Sequence, residues 1–357
     1  MPDSANDSIG SAPIPYVIAI GASAGGLHAL RAVLPALPAD FAAPLCIVMH
    51  TAPDSPGLLH EILGRVSPLP VAMPKTRTRL AVGHVYVAPP DRHLLVEPGR
   101  VIVSRGPREN RFRPAIDPLF RTAAQVYGPR AIGVVLTGNL DDGAAGLFAI
   151  KQLGGLAVVQ DPVEAEHPSM PRSALTYVAV DHVVRLHELA PLLVSLIATP
   201  PAEARPAAAA RPPAEAMVPA GDALNVEVAV ARQEGSTAMA QTLGPPSPLA
   251  CPECHGVLLE VKDSPLLRFR CHTGHAYTAA SLAVDIDDAV ERSLWNAVRA
   301  LEEASMLKRR LGTHLGRHDP PAAEPLLAEA ARDEAEATSI RRLIAGRPST
   351  GTGQHET

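Results

Sequence analysis

In the first 198 residues, short apolar runs alternate with helix-length amphipathic segments, and this alternation constrains the fold more than any other feature. Tyr16–Ile20 (YVIAI) reads as a buried strand that runs into GASAGG and then into LHALRAVLPAL, a helical pattern. Pro44–His50 reads as a second strand, followed by a helix near Gly57–Arg65 and a strand in Val82–Ala88. HLLVEPGRVIV reads as a hairpin, with Pro98 and Gly99 at the centre of a type II turn. Beyond it lie a helix at Asp117–Tyr127, a strand at Ala131–Leu136, a helix at Gly143–Gln152, a strand at Leu156–Gln160 and a closing helix at His187–Ala198. The predicted class is α/β, with a doubly wound, mainly parallel sheet and helices on both faces. In such a sheet, ligands bind beyond the carboxyl ends of the strands.

The rest of the chain changes character. Residues 199–248 are rich in Pro and Ala without apolar periodicity, which predicts a flexible linker. Residues 249–279 hold a Cys/His cluster. From 280 to 345, Ile286, Val290, Leu294, Val298 and Leu301 recur at helical spacing and Gly312–Pro321 interrupts the pattern, which predicts a helical hairpin. Residues 1–14 and 346–357 read as disordered ends. Hydrophobic residues make up 46% of the chain and aromatics only 3%, so the core must be built from Ala, Val, Leu and Ile. A formal net charge of −5 argues against non-specific nucleic-acid binding, which needs a basic surface. No apolar run reaches the roughly 20 residues that span a bilayer. The N-terminus lacks the charged start and apolar core of a secretory signal, so a cytoplasmic protein without membrane insertion is expected.

Gly21-Ala22-Ser23-Ala24-Gly25 matches G-x-S-x-G between a strand and a helix. A serine in that turn exposes its hydroxyl, and N–H groups at the start of the next helix can stabilise an oxyanion. A hydroxyl is a weak nucleophile and needs a base. His50 ends the second strand, and Asp142 follows the strand Ala131–Leu136, so three strand ends deliver Ser, His and Asp to one edge. A dinucleotide site is disfavoured, because Ser23 stands where G-x-G-x-x-G needs glycine and the second strand ends in histidine rather than an acid. The order Ser, His, Asp also differs from the Ser, Asp, His order of ordinary α/β-hydrolases.

IGASAGG, IVMH, VYVAPPDRHLL, RPAIDPLF, VVLTGNLDDGAAG and QDPVEAEHPSMPRSAL follow one another in this chain. Together they resemble the catalytic domain of CheB-type chemotaxis protein-glutamate methylesterases, over roughly residues 15–198. The resemblance implies a triad of Ser23, His50 and Asp142. It also implies hydrolysis of glutamyl γ-methyl esters on methyl-accepting receptors, with water as co-substrate, and in some members deamidation of receptor glutamines. No cofactor is implied for this chemistry. Ala24, Gly25 and Asn139 fall in the substrate and oxyanion region, and Arg113 is expected either to line the crevice or to be a solvated or structural arginine. Ser169-Met170-Pro171 is expected as a loop at the rim, His93 as a structural residue, and Cys46 as inert core. Ala24 stands where the family has threonine, and TGNL stands where it has Thr-Gly-Met-Gly. Only about 15 residues precede the first strand, so the family's usual receiver domain is expected to be absent. A binding module without turnover and a general serine esterase or amidase remain as alternatives.

CPEC, sixteen residues and CHTGH offer Cys251, Cys254, Cys271, His272 and His275. This is the spacing of a zinc ribbon, with Cys251, Cys254, Cys271 and His275 the favoured ligands of a structural zinc, and a reduced cysteine cluster that no longer binds metal as the alternative. The extension resembles those of stand-alone methylesterase-like proteins. Glu302, Glu303, Lys308, Arg309 and Arg310 are expected on the outer face of the hairpin, which reads either as a bundle or dimer contact or as a docking surface.

Overall fold

A computed structural model describes residues 14–199 and 220–347. They divide into two compact units after Ser281.

The first unit begins with β1 (Val17–Ala22), α1 (Gly26–Val33), β2 (Leu45–Met49), α2 (Leu59–Gly64), β3 (Val71–Ala72), β4 (Thr78–Arg79) and β5 (Val85–Val87). It continues through β6 (His93–Glu97), β7 (Arg100–Ser104), α3 (Ile116–Tyr127), β8 (Ala131–Val135), α4 (Ala144–Gln152), β9 (Leu156–Gln160), α5 (Ser169–Tyr177), β10 (His182–Val184) and α6 (Leu186–Ala198). Seven strands form one parallel sheet in the order β10-β9-β8-β1-β2-β5-β3. Strand periodicity splits the apolar residues between the two faces. Val17 and Ala19 of β1 pack with Ile116, Phe120 and Leu147 on one side. Ile18, Ile20 and Ala22 pack with Leu30, Leu63 and Leu193 on the other. Both faces are therefore covered, as the continuous apolar runs require. Order reverses between β1 and β8, and the crevice of such a sheet opens there.

The hairpin β6–β7 forms with Gly99 in the left-handed conformation (φ 69°) that the second central position of a type II turn demands, and β4 adds to it as a third strand. Ser169-Met170-Pro171, expected as a loop, is instead the first turn of α5. Proline at the start of a helix loses no backbone bond, so it does not mark a loop there.

Residues 200–219 of the expected linker lie outside the described residues. Residues 220 onward form α7 (Ala220–Ala231) and α8 (Thr237–Ala240) rather than a flexible tether. Ala223, Leu224, Val228 and Ala231 are buried, and so is Glu227 between them. A buried glutamate in the stripe hides its periodicity from a hydropathy pattern. Next comes a four-stranded antiparallel sheet of β11 (Pro246–Ala250), β12 (Val257–Val261), β13 (Arg268–Cys271) and β14 (Ala276–Thr278), which carries the cysteines.

The second unit contains most of α9 (Ala279–Leu315) and α10 (Pro320–Ala345). The break between these helices is shorter than the expected Gly312–Pro321 because Asp319 caps Ala322 N–H and Pro320 and Pro321 fit the first turn. Ala323, Ala330 and Ala337 are buried at seven-residue spacing, and Ser305 Oγ donates to Ala330 O at 2.8 Å. Of the charges expected outside, Lys308 pairs with Glu329 and Asp333, Arg309 with Glu334, and Glu302 with Arg341, bracing one helix to the other.

Candidate active site

Ser23 follows β1, His50 follows β2, and Asp142 stands between β8 and α4. Ser23 Oγ lies 3.0 Å from His50 Nδ1, and His50 Nε2 lies 2.7 Å from Asp142 Oδ2. An ionised carboxylate can only accept, so the ring proton sits on Nε2 and Nδ1 is the free lone pair facing Ser23. The serine is thus poised to give its proton to an imidazole whose far side is held by an acid.

Asp142 is buried and heavily bonded. Its Oδ2 accepts from Ile116 N–H at 2.7 Å, and its Oδ1 accepts from Asn110 Nδ2 at 2.8 Å and Gly143 N–H at 3.0 Å. Burial pushes its carboxyl up, but His50 and these donors outweigh burial and hold it below the usual carboxylate range. Neighbouring Asp141 does not reach His50. Its Oδ1 accepts from Thr278 Oγ1 at 2.7 Å, and burial pushes it up to about 6. Asp117 accepts from Asn110 Nδ2 at 2.9 Å and Gly146 N–H at 2.6 Å, and burial followed by the nearby Asp142 charge pushes it up to about 7.

The turn that carries Ser23 depends on its neighbours. Gly25 precedes α1 with φ 73°, and a Cβ there would meet Glu166 Oε2 at 2.9 Å. Ser23 N–H donates to Thr137 O, and Thr137 Oγ1 donates to Ala24 O, so the β8 loop straps the turn down. Ala24 and Gly25 link the serine to the first turn of α1.

Two expected site residues make no hydrogen bond to the triad among the described residues. Asn139 is exposed. Arg113 does not offer an open cation. Its guanidinium holds Asp91 Oδ1 at 2.6 Å and 2.8 Å and Gly106 O at 2.9 Å, because burying the arginine this far demands an acid partner. His93 is structural: its Nε2–H donates to Pro107 O and its Nδ1 accepts from Ala115 N–H. Residues without a chemical signature in the sequence join the site instead. Phe112 stacks on His50, Asn110 bonds Asp142, and Gly138 packs against Ser23. Asn110 and Phe112 precede RPAIDPLF directly, and that proximity was the one clue available.

The Sγ or Nδ1 atoms of Cys251, Cys254, Cys271 and His275 all lie within 4.8 Å of one another. Cys254 and Cys271 sulfurs are 3.6 Å apart, and His275 Nδ1 is 3.7 Å from Cys251 Sγ and 3.5 Å from Cys271 Sγ. A tetrahedral zinc with ordinary bond lengths needs edges of about 3.5 to 3.8 Å, so the donor set fits. Nε2 of His275 lies 3.2 Å from Glu253 Oε2, which fixes the ring with Nδ1 toward the thiols. His272 packs over Gly256, apart from the four.

The family model described as CheB methylesterase matches residues 18–193. The chain is similar to the "Putative protein-glutamate methylesterase/protein-glutamine glutaminase" of Leptospira interrogans, 46% identical over 180 residues, covering 50% of this chain and 93% of the relative. It is similar to "Protein-glutamate methylesterase/protein-glutamine glutaminase 2" of Anaeromyxobacter dehalogenans, 42% identical over 173 residues, covering 48% of this chain and 51% of that one. Among solved structures, the Thermotoga maritima CheB methylesterase catalytic domain is similar at 31% identity with a TM-score of 0.49, covering 51% of this chain and 98% of that one.

Proposed function

Because this chain belongs to the CheB methylesterase family, we propose that it hydrolyses glutamyl γ-methyl esters on methyl-accepting receptors through Ser23, His50 and Asp142. The relay from Ser23 Oγ through His50 to Asp142 carries this reading. His50 Nδ1 takes the serine proton as Oγ attacks the ester carbonyl. The N–H groups of Ala24 and Gly25 are assigned to receive the oxyanion. The protonated imidazole then returns its proton to the departing methoxide oxygen, so methanol leaves and an acyl-serine remains. Water, deprotonated by the same nitrogen, cleaves the acyl-serine to a free glutamate. A glutamine amide would follow the same route and release ammonia. Asp142 stays ionised throughout and stabilises the imidazolium.

Turnover is favoured over a binding-only role, because a serine–histidine pair held by a buried carboxylate has no use in binding alone. Methanol release from methylated receptor fragments tests the reading. Wild type should release it and Ser23→Ala should not. A Ser23→Ala rate equal to wild type overturns the assignment, and turnover of small esters but not receptor fragments favours a general esterase.

Cys251, Cys254, Cys271 and His275 are proposed to hold one structural zinc, which would supply folding energy to a sheet with little core of its own. Metal content near one zinc per chain supports this, and a folded module with no metal overturns it. Among the described residues no helix is long and apolar enough to cross a membrane. A cytoplasmic site of action, on the receptors' inner domains, is part of the same proposal.

A further inference from the structure

Asn110 stands between the triad acid and the C-terminal sheet. Its two Nδ2 hydrogens go to two different carboxylates, Asp142 Oδ1 at 2.8 Å and Asp117 Oδ2 at 2.9 Å. Its Oδ1 accepts from Thr278 N–H at 3.0 Å and lies 3.3 Å from Ser281 Oγ, whose one proton it shares with Thr278 O at 3.1 Å. An amide is the side chain that offers two donors on one end and an acceptor with two lone pairs on the other. Both ends of the amide are engaged, and one side chain therefore separates Asp142 from the C-terminal module.

The backbone around Asn110 is held by the same module. Asn110 N–H donates to Ala276 O at 2.8 Å, and Ala276 N–H donates to Arg108 O at 3.2 Å. Asn110 has φ 49°, a left-handed conformation that surrounding contacts must maintain. Glu109 beside it bonds Arg270 of β13 at 3.0 Å and Arg121 of α3. Phe112, two residues on, carries the ring that stacks on His50. The segment that frames the triad histidine and acid is thus fastened by β13, β14 and the first turn of α9.

We propose that the C-terminal Cys/His module is a working part of the hydrolase site, holding Asn110 as the positioning residue for Asp142. The inference rests on the triad reading given above. Without the module, Asn110 loses both partners of its carbonyl and the pairing of its backbone. Asp142 and Asp117 then face each other across a gap with no fixed donor between them. The other titratable and charged groups around this pair are His50, His93, Asp141, Arg121 and Arg268. None of them replaces the amide between the two acids.

The test uses the full-length chain. Asn110→Ala removes the amide, Ser281→Ala removes one of its holders, and Ser281→Thr keeps the hydroxyl. Asn110→Ala is expected to lower kcat by about 10- to 100-fold with KM nearly unchanged, the usual cost of losing a partner that orients a first-line group. The acid limb of kcat/KM should move to higher pH, because the active form needs His50 Nδ1 unprotonated and a carboxylate stripped of a donor stabilises the imidazolium more strongly. Ser281→Ala should move both quantities less in the same direction, and Ser281→Thr should recover most of the loss. The His50 Nε2–H resonance, read by NMR in histidine-labelled protein without substrate, should shift or broaden in Asn110→Ala. A module that merely packs would lower thermal stability while leaving kcat per folded molecule, the acid limb and the resonance unchanged, and that result overturns the proposal. If wild type cleaves no ester, the hydrolase reading fails, and the His50 resonance alone then decides whether Asn110 positions the pair.

Discussion

The imidazole of His50 lies flat on the ring of Phe112, with centroids 3.7 Å apart and planes 9° from parallel. A histidine bonded at both nitrogens can still swing about the line joining them, and a stacked ring stops that motion. Such a contact contributes about 0.5 to 1.5 kcal/mol beyond area burial. Phe112→Ala should therefore lower kcat by about 2- to 10-fold with little change in KM. Steady-state kinetics on any accepted ester will check this. A rise in KM with kcat unchanged would mean that Phe112 meets substrate rather than orienting the base.

Gly138 shows how closely the β8 loop approaches the nucleophile. A Cβ at this position would lie 2.7 Å from Ser23 Cβ and 2.1 Å from Met170 Sδ. Gly138→Ala should cost roughly 1 to 3 kcal/mol of stability through overpacking and a larger share of activity, because Ser23 must move. The double variant Gly138→Ala/Met170→Ala separates the two clashes. It should regain stability, measured by urea denaturation, but little of the kcat. Full recovery of kcat would show that only the flexible methionine was in the way.

Much of this was legible in the sequence, for reasons that differ by element. The strands β1, β2, β8 and β9 are buried on both faces and announce themselves as apolar runs. Ser23, His50 and Asp142 could be placed because each follows a strand. Strands β3 and β4 have two residues each and are too short for a pattern. Arg113 looks like a crevice-lining cation by chemistry and neighbourhood, but its pairing with Asp91 makes it structural. Asn110 and Glu227 act through contacts more than a hundred residues away, to Ser281 and from α7 to α3, which no local pattern records.

The charge cluster at the base of the module explains why α7 is ordered. Arg121, Arg268 and Arg270 meet Glu109, Glu227 and Asp263, and Glu227 alone contacts all three arginines. Removing one partner from such a buried set leaves charge uncompensated, at a cost of about 3 to 5 kcal/mol. Glu227→Ala should destabilise the chain by that amount, read as a lower urea midpoint. Glu234→Ala, on the exposed end of the same segment, should change it by less than about 0.5 kcal/mol. Equal effects would mean that α7 contributes little to the packing of the first unit.

Asp117 and Asp142 make the pH dependence of stability two-sided. Asp142 is held below its ordinary value, so the stability it contributes is present above the unfolded value of about 4 and is lost as pH falls below it. Asp117 is pushed up to about 7, first by burial and then by Asp142. Between about pH 4 and its folded value, the native state keeps a proton that the unfolded chain has released, so this contribution falls as pH rises through that window. Asp141, pushed up to about 6, adds in the same direction over a narrower range. Asp117→Asn should be less stable overall, because its amide nitrogen faces the Nδ2 of Asn110. The drop in unfolding free energy between pH 5 and pH 8 should nevertheless shrink in the variant, and urea denaturation at both pH values measures it. An unchanged drop would mean that Asp117 is ionised across the whole range, with Asn110 and Gly146 N–H supplying enough donation to hold two adjacent carboxylates charged.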